Sequence, residues 1–274
     1  MKKIYFICVN YNNAEITIKY IQSIHSLVNE DFFKVFIIIV DNNSEDIEKE
    51  VLLKWQTNNP DKPFHFLPLN HNIGYFPAIN KGLKFIELYN GLNYIIVGNN
   101  DLIFDVNFLL NLCNNKYDDN VFVIAPNIIR SDGLHQNPFF ITRISFLRKL
   151  YYKLYYLNYY CACTIEFLAG ALNLRNNENN KPSFEQSQYI YMGFGACYIL
   201  APVFLKECIY LKDDVFLFGE EAMLAYQIKN KNGKIFYDST LIVHHSDHSS
   251  INKIPSRKIY RIAKKSFKIY RKYL

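Results

Sequence analysis

The segment YIIVGNNDLIF (residues 94–104) carries much of the information about how the chain folds. Its first four residues predict a buried strand, which passes directly into Gly98, Asn99, Asn100 and Asp101 before the chain becomes apolar again. A single polar segment at the end of a strand, here called a polar tip, is also typical of an ordinary turn, because Asn and Asp are common turn residues. Three consecutive amide and carboxylate side chains at a strand end nevertheless raise the question of what they bind.

The same arrangement recurs along the first hundred residues. Apolar strands are predicted at residues 4–9, 35–40 and 64–69, and the spacing of apolar residues predicts helices over 15–28 and 77–90. Strands that are apolar throughout and alternate with helices favour an α/β fold, in which a parallel sheet is covered by helices on both faces.

A polar tip follows each predicted strand. Ligands of parallel α/β sheets bind beyond the carboxyl ends of the strands, so these tips are expected to converge on one crevice. The tips comprise residues 10–13, 41–44, 70–74 and 98–101. The chain contains neither a GxGxxG nor a GxxxxGK[ST] motif, which argues against a Rossmann dinucleotide site and against a P-loop.

The composition predicts a folded protein of a reducing compartment. Half of the 274 residues are hydrophobic and a fifth are charged, and no apolar run approaches the roughly 18 to 20 residues of a membrane-spanning helix. The N-terminal apolar run is too short for a secretory signal, so we expect a cytoplasmic protein. Most of the six cysteines lie in apolar segments, and Cys161-Ala-Cys163 has no second pair that would complete a zinc site.

Positive charge is concentrated at the C-terminus. Residues 251–274 contain nine Lys and Arg and no acid, whereas the rest of the chain has 22 basic and 25 acidic residues. The apolar residues of this tail fall on one helical face, which predicts a basic amphipathic helix suited to an anionic membrane surface. The aromatic and basic segment 139–160 is a candidate second contact. Packing on the body and a subunit interface are the alternatives; no nucleic-acid module accompanies these charges, so a nucleic-acid partner is not expected.

Six motifs in order resemble the inverting glycosyltransferases of family 2. They are VNYNN (9–13), IVDNNSED (39–46), NHNIGYFPAINKGL (70–83), IIVGNNDLIF (95–104), GFGACYIL (193–200) and the segment from FLFGEEA to HHSDHSS (216–250). The resemblance implies the GT-A fold of nucleotide-diphospho-sugar transferases, with a Rossmann-like, mostly parallel sheet. It also implies a domain over residues 1–250, with a nucleotide-sugar-binding half (1–104) and an acceptor and catalytic half (105–250), followed by the basic tail (251–274).

The resemblance assigns donor-binding roles to the polar tips. Asn99-Asn100-Asp101 occupies the place of the family's DxD motif, so Asp101 is expected to bind Mg²⁺ or Mn²⁺, a hard cation that prefers oxygen ligands. Asp41 and the tip Val9-Asn10-Tyr11 are expected to contact the nucleotide base. The other expected donor-pocket residues are Asn43, Ser44, Asn72, Gly74 and Asn80, and a surface or helix-cap position is the alternative for Asn80.

The resemblance places the general base in FGEEA. The second acid of the family's acidic pair maps to Glu221, with Glu220 before it, and either carboxylate could take the acceptor proton. Two acids in the first turn of a helix are also typical of a plain helix N-terminus. His244 matches a histidine that approaches the metal or the diphosphate, and a zinc site built on the nearby histidines and Asp247 is an alternative.

These assignments predict an inverting, metal-dependent transferase. Its donor would be a UDP- or dTDP-linked sugar, and its acceptor a saccharide, polyprenyl-linked, in bacterial capsule or O-antigen synthesis. The protein would lie on the inner face of the cytoplasmic membrane. A non-catalytic nucleotide-sugar-binding protein of the same fold is the alternative, because Asn99 and Glu221 depart from the family's usual residues.

Overall fold

The computed structural model describes residues 2–27, 33–86, 94–171, 184–246 and 256–274. Within them, nine strands form a single sheet with helices on both faces. The strands are β1 (Lys2–Asn10), β2 (Phe33–Asp41), β3 (His65–Pro68), β4 (Tyr94–Asn99), β5 (Leu102–Phe104), β6 (Val121–Arg130), β7 (Gln188–Ile190), β8 (Cys197–Leu200) and β9 (Lys234–His245). The helices are α1 (Ala14–His25), α2 (Asp46–Asn58), α3 (Tyr75–Ile86), α4 (Phe108–Asn114), α5 (Phe146–Tyr155), α6 (Tyr159–Ala171), α7 (Pro202–Glu207), α8 (Glu220–Asn230) and α9 (Arg257–Tyr270).

The first half of the sheet is parallel, as predicted. β1 lies between β2 and β4, and β3 pairs with the outer edge of β2. The registers place Asn10 opposite Asp41 and Val9 opposite Asn99, so the polar tips lie side by side at one edge of the sheet. Helix α1 begins at Ala14 and α3 at Tyr75, close to the predicted starts; their predicted ends at 28 and 90 lie outside the described residues.

The second half of the sheet contains strands of both directions. β8 is antiparallel to both β4 and β6, and β9 is parallel to β6. Six of the nine described strands therefore run in the same direction, and only β5, β7 and β8 oppose them. The sheet is mostly parallel, which confirms the predicted fold class, and it continues without a break from the first half of the chain into the second.

Each face of the sheet has its own apolar core, because side chains alternate along every strand. In β1, Tyr5 and Ile7 contribute to the core under α3, α8 and α9, whereas Ile4 and Phe6 contribute to the core under α1 and α4. Residues 4–9 of β1 are apolar at every position because helices cover both faces of this strand, so its sequence does not alternate between apolar and polar residues.

The C-terminal helix α9 packs on the body of the protein. Its apolar face is buried, with Tyr260, Phe267 and Tyr270 each less than a tenth exposed, while its Lys and Arg residues face outward. The sequence left three partners open for this helix: a membrane surface, the body of the protein and a second subunit. The structure shows its apolar face packed on the body. Residues 251–255 lie outside the described residues. Among the described helices, none has both the length and the apolar character that crossing a bilayer requires.

We expect α9 to contribute substantially to stability. The ring of Phe267 stacks on Tyr156 with centroids 4.5 Å apart and is 5% exposed, so Phe267→Ala should lower the free energy of unfolding by about 3 to 5 kcal/mol. Ile259→Ala on the outer face of the same helix, where Ile259 is 47% exposed, is the matched control and should change stability by less than about 1 kcal/mol. Urea denaturation of both variants measures the difference, and equal losses would contradict the packing described.

Candidate active site

The tips of β1 and β2 are joined by a buried hydrogen-bond network. Asn10 Nδ2 donates to Asp41 Oδ1 at 2.8 Å and to Ser44 Oγ at 3.1 Å, and the Ser44 N–H donates to Asp41 Oδ2 at 3.0 Å. Asn10 and Asp41 are fully buried and Ser44 nearly so. These three residues therefore hold the two loops in place, while Tyr11, Asn12 and Asn43 are the exposed members of the same tips. The predicted contacts of these residues and of Val9 with the nucleotide remain predictions.

The third tip, residues 70–74, connects the tip of β2 to the segment before α8. Asn72 Oδ1 accepts from Asn42 Nδ2 at 3.0 Å and from the Gly74 N–H at 3.1 Å. Gly74 has a φ of +96°, and a Cβ there would lie 2.2 Å from the Phe216 carbonyl oxygen. Only glycine fits this approach. The Tyr75 N–H donates to the same Phe216 oxygen at 3.0 Å, which fixes the segment that leads to Glu220.

Asn80 has a structural role that the donor-pocket prediction did not include. Its Nδ2 donates to the Leu211 carbonyl at 2.8 Å and to Asp213 Oδ2 at 3.0 Å, and its Oδ1 accepts from the Leu211 N–H at 2.9 Å. The amide is thus used in anchoring the loop that follows α7, which leaves little capacity for binding the donor. The geometry assigns Asn80 to this anchor.

The fourth tip brings Asp101 to a histidine of β9. His245 Nε2 lies 3.1 Å from Asp101 Oδ1, and Asn99 Nδ2 approaches the same nitrogen at 3.4 Å. Asn100 Nδ2 donates to Thr17 Oγ1 at 2.7 Å, so it points away from this pair and orders the turn. The metal-approaching histidine was predicted at His244, but successive residues of a strand point to opposite faces, and His244 is exposed while His245 is buried. His245 is therefore the histidine beside Asp101, and the role predicted for His244 remains a prediction.

Asp101 and His245 fit a divalent metal ion. Asp101 Oδ1 is buried and has no hydrogen-bond partner among the described residues, although Nε2 is close. His245 Nδ1 lies 2.8 Å from Gln136 Oε1, an arrangement in which Nδ1 donates and the Nε2 lone pair faces Asp101. Neighbouring ligands of an octahedral ion at about 2.1 Å are about 3 Å apart, which matches the pair.

The rest of such a coordination shell would come from elsewhere. The described residues contain no group of three or more His, Cys, Asp or Glu that could hold a metal, while Asp247 and His248 lie outside them. Two protein ligands are typical of Mg²⁺ and Mn²⁺ sites that are completed by a phosphate-bearing substrate and water. The described residues thus favour this type of site over a protein-built zinc site.

Two carboxylates open α8 in a buried environment. Phe218 and Gly219, with φ of +72° and +95°, turn the chain sharply before Glu220, and a Cβ on Gly219 would lie 2.1 Å from the Tyr270 ring. Acids in a first turn normally benefit from the helix dipole. Here desolvation outweighs that benefit: burial, and then the charge of Glu221, raise the pKa of Glu220 to about 8.

Glu221 differs from Glu220 in its partners. Burial raises the pKa of Glu221 as well, but the N–H of Gly195 and its own N–H act in the opposite direction by donating to the carboxylate. The N–H groups of Glu220 and Phe218 oppose the rise for Glu220 as well, but its Oε1 is buried without a hydrogen-bond partner among the described residues. The pair therefore favours a proton on Glu220 and a charge on Glu221, since two neighbouring carboxylates in a dry site do not both ionise easily.

Tyr75 is a further residue of this region that the sequence did not single out. Its hydroxyl donates to the Gly195 carbonyl at 3.4 Å. Burial raises the pKa of the Tyr75 phenol, and the charges of Cys197, Glu220 and Asp101 among its neighbours raise it further, so it stays protonated. The segment that begins with Gly195 joins the two acidic positions: the Ala196 carbonyl accepts from the Asn99 N–H at 2.9 Å, and a Cβ on Gly195 would lie 2.7 Å from Glu221 Oε1.

The other missed residues differ in how much signal they gave. His245 follows Leu241 and Val243 at alternate positions, and this alternation marks the buried face of β9. Gln136 and Tyr75 carry no such signal, because their roles depend on contacts with residues more than a hundred positions away.

Comparison with known proteins gives a family and a fold. The model of a family described as "Glycosyl transferase family 2" matches residues 6–178, a range that includes Asp101 but ends before Glu220 and His245. No curated protein matches the chain in sequence.

Several solved structures share its fold. They include a mannosyltransferase of Pyrobaculum calidifontis in complex with GDP-Man and Mn²⁺ (13% identity, TM-score 0.57), GalNAc-T7 with UDP, GalNAc and Mn²⁺ (13%, 0.59), and residues 1–349 of S. aureus TarS in complex with UDP-GlcNAc (12%, 0.57). The matches cover 90%, 90% and 92% of this chain, but only 58%, 44% and 60% of the respective neighbours, so the chain spans about half the length of these proteins. At this identity they show the GT-A fold alone.

The buried acidic pair predicts a pH-dependent stability. The pKa of Glu220 is about 8 in the folded protein against an ordinary value of 4.5, so between these values the folded state holds a proton that the unfolded state has released. Stability should therefore fall as pH rises through this window, and Glu220→Gln should remove most of the fall. Melting temperatures measured from about pH 5 to about pH 8 should show the variant gaining on the wild type. Glu50→Gln at an exposed site is the control, and parallel curves for wild type and Glu220→Gln would refute the assignment.

Proposed function

The chain belongs to glycosyl transferase family 2, and from that premise we propose that it transfers a sugar from a nucleoside diphosphate to a saccharide hydroxyl, with inversion at the anomeric carbon. The observation that carries the proposal is the shared crevice. The Gly195–Ala196 segment joins its two parts: the Ala196 carbonyl accepts from the N–H of Asn99, two residues before Asp101, and the carboxylate of Glu221 lies against Gly195. A group that holds a diphosphate and a group that takes a proton are the two parts that such a transfer needs.

In the proposed mechanism, residues 1–104 bind the donor. The loops fixed by Asn10, Asp41 and Ser44 present Tyr11 and Asn43 to a UDP- or dTDP-linked sugar. Asp101 and His245 would hold Mg²⁺ or Mn²⁺, which supplies the positive charge that offsets the negative charge of the departing diphosphate. Asn99, in the place of the first carboxylate of the DxD motif, orients the His245 ring.

Glu221 is the proposed general base. A base must be unprotonated when the acceptor hydroxyl attacks, and the N–H of Gly195 favours the charged form of this carboxylate. Glu220 keeps its proton near neutral pH because its pKa is about 8, so it contributes shape and a neutral environment and does not compete for the acceptor proton. The two acids thus receive different roles from different surroundings.

The acceptor in this proposal is a polyprenyl-linked saccharide of bacterial capsule or O-antigen synthesis. Residues 105–250 would form the acceptor half and residues 251–274 the membrane-proximal tail, at the inner face of the cytoplasmic membrane. Support comes from the resemblance of the motifs and from the exposed basic side of α9, whose apolar side packs next to the segment that carries the acidic pair.

A second candidate function rests on Asn99. With one carboxylate in the DxD position, a non-catalytic protein that binds nucleotide sugars is also consistent with the fold. Release of nucleoside diphosphate from a panel of UDP- and dTDP-sugars in the presence of Mn²⁺ distinguishes the two: turnover supports the enzyme, and donor binding without any turnover supports the alternative.

Removal of the base should separate binding from chemistry. Glu221→Gln keeps the shape of the side chain but cannot accept a proton, so the rate of nucleoside diphosphate release should fall by about 10² to 10⁴-fold. Thermal stabilisation by the donor should persist, because stabilisation reports binding alone. Glu207→Gln on exposed α7 is the matched control with the same chemical change. Wild-type turnover in Glu221→Gln would exclude Glu221 as the base.

The two adjacent histidines provide an internal test of the metal site. His245→Ala removes the proposed ligand, and Gln136→Ala removes the group that orients it, which should weaken Mn²⁺ binding by about 10 to 100-fold. His244→Ala, on the exposed face of the same strand, should leave it unchanged. Titration of Mn²⁺ in the presence of UDP, followed by electron paramagnetic resonance, measures affinity independently of turnover. A loss confined to His244→Ala would restore the original assignment.

A further inference from the structure

Helices α5 and α6 expose an unusual amount of apolar surface. Phe146 and Leu147 are each 75% exposed, and Leu154, Tyr160 and Phe167 are between 50% and 70% exposed. No residue of α5 is buried. Large contiguous apolar patches are rare on proteins that do not use them for binding, whereas single exposed apolar residues are common.

The exposed side chains of α5 form a stripe. Phe146, Leu147, Leu150 and Leu154 recur at helical spacing and therefore lie on one side of the helix. The opposite side carries Tyr152, whose ring approaches Phe267 of α9 at 6.5 Å between centroids. Helix α5 thus has an inner aromatic face that packs on α9 and an outer apolar face whose side chains are 42% to 75% exposed.

Positive charge surrounds this apolar surface. Arg143, Arg148 and Lys153 are exposed on or beside α5, and the Arg257 guanidinium lies over the rings of Tyr159 and Tyr160 at 5.4 and 5.9 Å. Residues 146–171 carry one acid, Glu166, and α9 carries none. A partner for this surface must be apolar in its interior and negatively charged at its boundary, and an anionic lipid bilayer has both properties.

We propose that the hairpin of α5 and α6 (residues 146–171) is the membrane-docking surface of this protein. The aliphatic stripe enters the boundary between headgroups and acyl chains, and the basic residues meet anionic headgroups. The proposal rests on the proposed function in one respect, the need to reach a lipid-linked acceptor. It differs from the expectation for residues 251–274, since the apolar face of α9 is already buried and only its basic side faces outward.

The hairpin is also connected to the acidic pair through a short series of contacts. Tyr156, which follows α5, stacks on Phe267 and is hydrogen-bonded to Tyr270. Tyr270 in turn packs against Gly219, the residue before Glu220, and Ser266 Oγ donates to the Leu217 carbonyl at 2.6 Å. A saccharide presented at the bilayer surface would therefore arrive on the part of the molecule that positions the base.

Vesicle flotation tests the proposal with the full chain. The triple variant Leu147→Ser, Leu154→Ser and Phe167→Ser should lower binding to vesicles of phosphatidylglycerol and phosphatidylcholine in equal parts by about tenfold or more, because three apolar side chains no longer enter the bilayer. The matched control is the double variant Ile47→Ser and Val106→Ser, which removes equally exposed apolar residues elsewhere and should float like the wild type.

A second variant tests whether misfolding of the triple variant explains its loss of vesicle binding. Arg143→Glu with Lys153→Glu leaves the apolar stripe intact and should reduce flotation with the anionic vesicles, while binding to phosphatidylcholine alone should change little.

Unchanged flotation of the triple variant would overturn the proposal. So would a native mass that shows a wild-type dimer and a monomeric triple variant, since the surface would then bind a second copy of the chain. Thermal stabilisation by the nucleotide-sugar panel is measured in parallel: its absence would count against the proposed function and leave the flotation result standing.

Discussion

Parallel pairing of β1 with both β2 and β4 is the constraint on which the rest of the structure depends. It places Asn10 level with Asp41 and Val9 level with Asn99, so loops that are far apart in sequence meet at one edge of the sheet. The buried Asn10–Asp41–Ser44 network is possible only because of this register, and it gives the donor side a fixed shape. The same pairing fixes the position of Asp101, and β9 places His245 beside it.

In the acidic pair at the start of α8, different surroundings favour different protonation states of two similar carboxylates. A helix N-terminus alone would favour both carboxylates as charged groups. The crevice is dry enough to reverse this for Glu220, whereas the backbone N–H of Gly195 favours the charged form of Glu221. A β-carbon at Gly219 would meet the Tyr270 ring at 2.1 Å, and one at Gly195 would displace the Glu221 carboxylate, so the glycines are part of this arrangement.

Much of the fold follows from local patterns, and the site only in part. The apolar strands, their polar tips and the helices between them predicted the parallel half of the sheet, because each of these signals is contained in a few neighbouring residues. The choice between His244 and His245 needed the alternation along β9, which was present in the sequence. Gln136 and Tyr75 required the folded structure. The amphipathic pattern of α9 is the same whether its apolar face meets lipid or protein, so the sequence left that choice open, and the stacking of Phe267 on Tyr156 decides it.

The contact between Gly74 and the Phe216 carbonyl has a consequence for how substrates enter. One continuous sheet runs through both halves of the chain, and the Tyr75 N–H donates to Phe216 across the seam between them. The halves cannot swing apart like the two lobes of a clamshell without breaking these bonds. The width of the crevice between the halves is therefore set by main-chain hydrogen bonds, which a hinge motion would have to break.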